Sequence, residues 1–68
     1  MVMERRNLFK ITARGEGAGK CIFLVATNLE VEAFMPEARE IARDILNLKS
    51  HERLIISSVE HQGDAVFA

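Results

Sequence analysis

Leu8 to Arg14 alternates strictly, with Phe9, Ile11 and Ala13 on one side and Lys10, Thr12 and Arg14 on the other. A period of two residues predicts a strand with one buried face. Gly15-Glu-Gly-Ala-Gly19 then interrupts the pattern with three glycines in five residues, a strong turn signal. From Lys20 to Thr27 the chain is again rich in strand formers, Cys-Ile-Phe-Leu-Val-Ala. The two segments predict a hairpin. With Arg14 opposite Lys20, Ile11 faces Phe23, Ala13 faces Cys21 and Phe9 faces Val25, which makes one continuous apolar surface. The other side carries Leu8, Lys10, Thr12 and Arg14 beside Lys20, Ile22, Leu24 and Ala26, an apolar centre with a basic rim. The second segment is apolar on both sides, as a strand covered on both faces is.

Residues 28–35 carry two conflicting signals. Leu29, Val31 and Ala33 alternate with Glu30, Glu32 and Phe34, which reads as a strand, while Thr27-x-x-Glu30 fits a helix capping box. Pro36 arbitrates, because deep in a helix it costs about 3 kcal/mol and at the first helical position little. The expectation is a third short strand over 29–34 and a helix beginning near Pro36. Phe34, Met35, Ala38, Ile41, Ala42, Ile45, Leu46 and Leu48 then fall within one arc, opposite Glu37, Arg39, Glu40, Arg43, Asp44 and Asn47, the layout of an amphipathic helix. Lys49 to Glu52 forms an exit loop and Arg53 to Glu60 a strand. Gln62-Gly63 reads as a turn, and Ala65 to Phe67 as a short closing strand.

The expected architecture is therefore α+β. It is a single small domain over 1–68, an antiparallel four- or five-stranded sheet with one amphipathic helix packed on one face, in the order β-β-(β)-α-β-β. A β-grasp-like topology is the alternative, and residues 1–7 are expected to form a mobile basic arm.

Composition narrows the class. Hydrophobic residues make up 49% of the 68 positions and charged ones 28%, which is globular and not disordered. A chain of this size buries only about 60% of its unfolded surface, so its core is small. No apolar run approaches the roughly 20 residues of a membrane span, and no signal-peptide core forms near the N-terminus. The single cysteine offers no internal disulfide. These features lead to a cytoplasmic expectation with no membrane contact. Small domains lacking disulfide and metal commonly gain stability by oligomerising or binding a partner.

Charge is unevenly spread. Residues 1–28 hold five basic and two acidic side chains, a net of +3, and residues 29–68 four basic and eight acidic, a net of −4. Arg5, Arg6, Lys10, Arg14 and Lys20 form the candidate nucleic-acid-binding set. Sheet recognition of nucleic acid also wants exposed aromatics, and Phe9 and Phe23 alternate onto the core side, so such binding would be electrostatic.

Catalytic motifs are not found. A phosphate loop needs glycine where Arg14 stands and Ser or Thr where Cys21 stands, and the dinucleotide pattern needs glycine at Lys20. Cys21 lies on the core face with no base near it in sequence, which reads as a buried apolar thiol. Cys21, His51, His61 and Asp64 have no recognised metal-ligand spacing. The acidic residues read as solvated faces. The expectation is a chain that is not an enzyme, with no metal, no cofactor and no small-molecule substrate.

Val31-Glu-Ala33, then Ala38-x-x-Ile41-Ala42, then the strand Leu54 to Val59 with the Gly63 turn, resembles small phage-encoded proteins of the anti-CRISPR inhibitor type. The resemblance covers residues 29–67, lies in core positions and carries over no functional residue. It implies a non-enzymatic inhibitor that occludes a nucleic-acid-binding surface of a larger complex.

The functional expectation is a small protein–protein interaction module. Its partner-binding residues are Leu8, Lys10, Arg14, Lys20, Ile22 and Leu24, arranged with the apolar centre and charged edge of many interfaces. The alternatives are electrostatic nucleic-acid binding by the basic hairpin, and a self-assembling homodimer that pairs sheets face to face or edge to edge.

Overall fold

The computed structural model describes residues 3–67, Phe67 by its backbone alone. Strand β1 spans Glu4–Gly15, β2 Gly19–Thr27, helix α1 Val31–Leu46 and β3 Leu54–Phe67. Among the described residues the sheet has three strands in the order β2-β1-β3, and both pairings are antiparallel. The architecture is α+β, with one helix on one face of an antiparallel sheet.

The hairpin register is the one its alternation predicts. Arg14 pairs with Lys20, Ala13 with Cys21, Ile11 with Phe23 and Phe9 with Val25. At the tip, the Ala18 amide donates to the Gly15 carbonyl at 3.2 Å, and Gly17 sits at φ 76°, the left-handed third position that a type II turn requires.

Two elements differ from the sequence reading. Residues 31–34 are helix and not strand, and Pro36 lies inside α1 instead of at its start. The reason is tertiary. Helical geometry sets Phe34, Ala38 and Ala42 in one row, and all three are buried. Phe34 reaches the core beside Ile11 and meets Phe9 with ring centroids 5.0 Å apart. A buried Phe contributes about 1.5–3 kcal/mol, and the first-turn bonds from Ala33 and Phe34 to the Glu30 carbonyl add to it. Together these offset the amide that Pro36 lacks. The capping box does not form, since Glu30 caps without a side-chain bond and Thr27 Oγ1 instead accepts from the Leu29 amide at 3.0 Å.

The second difference is β3. It runs unbroken through Gln62-Gly63, so the expected turn and closing strand are one strand, and the four or five strands expected reduce to three. Gly63 takes φ 109° within a strand irregularity. Opposite it the register steps from Leu8↔Gly63 to Phe9↔His61, and a second step separates Thr12↔Ser58 from Ala13↔Ile56. Each step leaves one β3 residue unopposed, Gln62 and Ser57, as a β-bulge does. With every pairing antiparallel, a β-grasp arrangement with parallel central strands is not what is seen. From Glu4 onward the segment read as an arm is β1, with Glu4–Asn7 paired to Asp64–Phe67; residues 1 and 2 lie outside the described residues.

The core is two connected layers between sheet and helix. Ala13, Cys21, Ala42 and Leu54 form one, with Phe23, Leu46, Leu48 and Ile56 packed on it. Ile11, Phe34 and Ala38 form the other. Alanines at 38 and 42 let the helix approach the sheet closely. The helix ends in a Schellman arrangement: Asn47 adopts the left-handed conformation, and the Leu48 amide donates to the Arg43 carbonyl at 2.9 Å. This returns Leu48 to the core, where a Cβ on Gly15 would stand 2.7 Å from its Cδ2. Two helix arginines secure the exit loop, Arg43 donating to the Glu52 carbonyl at 3.0 Å and Arg39 to that of Leu54 at 3.3 Å.

Candidate interaction surface

Alternation forces every second strand residue onto the face away from the helix, and nothing among the described residues covers that face. The pairings order it in rows. Leu8 lies between Ala26 and Gly63, Lys10 between Leu24 and Glu60, Thr12 between Ile22 and Ser58, and Arg14 between Lys20 and Ile55. All six residues expected to bind a partner, Leu8, Lys10, Arg14, Lys20, Ile22 and Leu24, therefore share one face. Leu24 is 60% exposed and Ile22 53%, although β2 reads from sequence as covered on both sides.

Two residues the sequence reading missed belong to the same surface. Ile55 is exposed beside Arg14, and Arg53 lines a shallow open depression with Arg14, Gly15, Glu16 and Gly17. Their positions depend on β3 lying next to β1, a long-range pairing that no local pattern announces. Arg14 and Lys20 face each other directly across the hairpin, an arrangement of like charges that destabilises a sheet unless counter-charge is supplied. Among the described residues neither makes an ion pair.

The five-residue cationic set does not converge. Arg5 pairs with Val66 and Arg6 with Ala65, so alternation turns Arg5 to the helix side and Arg6 to the open side. Arg6 stands eight residues from Arg14 along β1, about 26 Å of strand. Its Nε donates to Glu4 Oε1 at 2.8 Å. That hydrogen bond and the adjacent charge hold the Glu4 carboxyl below, and the Arg6 guanidinium above, their ordinary ranges. The basic end of the open face is Arg14, Lys20 and Arg53, with Lys10 nearer its middle.

Among the described residues no polar side chain is buried, and no three metal-ligating side chains converge. Cys21 is a buried free thiol between Ala13, Ala42 and Leu54. No helix among the described residues is long and apolar enough to cross a membrane. The helix's outer face carries Glu37, Glu40 and Asp44, all exposed, while Arg39 and Arg43 are occupied with backbone carbonyls. The molecule is thus basic on its open sheet face and acidic on its helix face. No protein-family model, curated protein or solved structure matches this chain.

Proposed function

We propose that this protein is a non-catalytic interaction module whose open sheet face docks onto an acidic protein surface. The observation that carries the reading is the coexistence of exposed Ile22, Leu24 and Ile55 with the unneutralised Arg14–Lys20 pair on one uncovered face. Apolar side chains at the centre supply affinity and cations at the rim select sign and orientation. The matching partner presents an apolar patch flanked by carboxylates. An inhibitor of the phage type fits this scheme where it covers an acidic surface of its target; a nucleic-acid-binding groove is itself basic and is repelled by this face.

A second reading, electrostatic nucleic-acid binding, is supported by Arg53 joining Arg14 and Lys20 at one end of the face. One experiment separates the two. The tagged chain is used for capture at moderate salt, with Leu24→Lys and Ile55→Lys as controls and eluates assayed for protein and nucleic acid. A protein retained by the parent chain and lost with both variants supports docking. Nucleic acid alone, eluting as salt rises and lost with Arg14→Ala and Lys20→Ala, supports the second reading and overturns the first.

A further inference from the structure

The sheet has two edges, and they are built differently. β3 carries two register irregularities, a left-handed Gly63, and Glu60, His61 and Asp64 along its length. Bulges and charges of this kind are how sheets discourage edge-to-edge pairing. β2 has no register shift, and its left-handed Gly19 and its one charge, Lys20, both lie at the hairpin end. Its pairing to β1 is regular over all nine residues, Cys21 to Thr27 contains no charge and no proline, and among the described residues no strand lies beside the peptide groups turned away from β1.

The helix lies over β1 and β2, with one flank turned toward that same edge. Arg39 and Arg43 reach the Leu54 and Glu52 carbonyls, so their flank of α1 faces β3. At 100° per residue, Ile41 and Ile45 stand about 160° and 120° around from Arg39, on the flank toward β2. Neither packs on either core layer, and Ile45 is 53% exposed.

We infer that β2 pairs antiparallel with β2 of a second copy of this chain, joining two three-stranded sheets into one of six. Antiparallel pairing of identical strands is a closed two-fold contact, which stops at the dimer. Centred on Phe23, it engages the whole of β2. Ile22 then stands opposite Leu24 of the other copy and Lys20 opposite Ala26, so no like charges meet. The two helices come to lie on the same side, about three strand spacings or 14 Å apart, with Ile41 and Ile45 of each filling the gap between them.

Surface area agrees with this assignment. The chain exposes 4928 Å², against about 4,300 Å² for a compact monomer of its mass. Its radius of gyration is 13.2 Å, against about 11 Å for a compact chain of this length. The excess is comparable to the roughly 800 Å² that each partner buries in a stable interface. The inference does not rest on the docking reading, because it uses the edge and the helix flank, while docking uses the open face.

Sedimentation velocity over a concentration series tests it, with Ile45→Glu and Ile55→Lys beside the parent chain. The expected parent mass is twice 7.6 kDa. Ile45→Glu, a change at an exposed position, sets like charges near the two-fold and should raise the dissociation constant at least about tenfold, while Ile55→Lys leaves it unchanged. Hydrogen exchange supplies the second readout: in the dimer the outward β2 amides are protected, and in Ile45→Glu they exchange fast. A parent chain that stays monomeric at the highest concentration overturns the inference. So does a dimer dissociated by Ile55→Lys and untouched by Ile45→Glu, which would mean that the open faces pack together.

Discussion

The two faces of this sheet are made from the same strands, residue by residue in alternation, yet they obey different physics. On the covered face Ile11 and Ala13 are fully buried under Phe34, Ala38 and Ala42. On the open face Ile22, Leu24 and Ile55 stand in solvent with Lys10, Arg14 and Lys20 around them. Apolar residues do the same thing by composition on both faces and opposite things by placement. Covered, they hold the fold; uncovered, they are a surface whose retention stability alone does not explain.

That contrast predicts how the molecule responds to change. Phe34→Ala should be the most damaging, costing about 3–5 kcal/mol and leaving this small domain largely unfolded in a thermal melt followed by circular dichroism. Gly15→Ala comes next, because the added methyl meets the end of the Leu48 side chain, which must turn aside; a contact of this kind costs about 1 kcal/mol, the low end of overpacking. Leu48→Ala in the same chain should recover part of that loss, which a double-mutant cycle in urea would measure. Leu24→Lys, on the open face, should change stability by less than about 0.5 kcal/mol while removing partner capture. If Leu24→Lys unfolds the chain, the open face is core and the contrast between the faces fails.

The smallest effect belongs to the far end of β1. Arg6 lowers the Glu4 carboxyl below its ordinary 4.5, so the folded state binds its proton less readily than the unfolded state does. The resulting stabilisation is complete above that ordinary value and is lost as the pH falls below it. Both side chains are about half exposed, so solvent screens the pair and the difference should be slight. At neutrality the parent chain should melt slightly above Glu4→Gln, and the two melting temperatures should converge as the pH falls below that ordinary value, because only the parent has the contribution to lose.

Much of the fold is written in short-range pattern. The hairpin and its register follow from alternation around a glycine tip, and the helix from Ala38 to Leu46 follows from its stripe. The start of the helix was not legible, because Pro36 is a strong local signal and the burial of Phe34 against Phe9 and Ile11 is a tertiary one. Gln62-Gly63 misled for a related reason: glycine at positive φ serves a bulge as well as it serves a turn, and only the length of β1 waiting to be paired decides which. The candidate surface divides in the same way. Its β2 and β1 members were visible as one side of a hairpin, while Ile55 and Arg53 entered only through β3.

Alternation, glycine placement and helical periodicity by themselves determined which side chains share a face, because those repeats are properties of the backbone and hold before any packing occurs. Tertiary structure decided which face the helix covers, where that helix begins, and that β3 and not β2 carries the bulges. Those outcomes depend on residues far apart in the chain competing for the same buried area, and no local repeat records that competition.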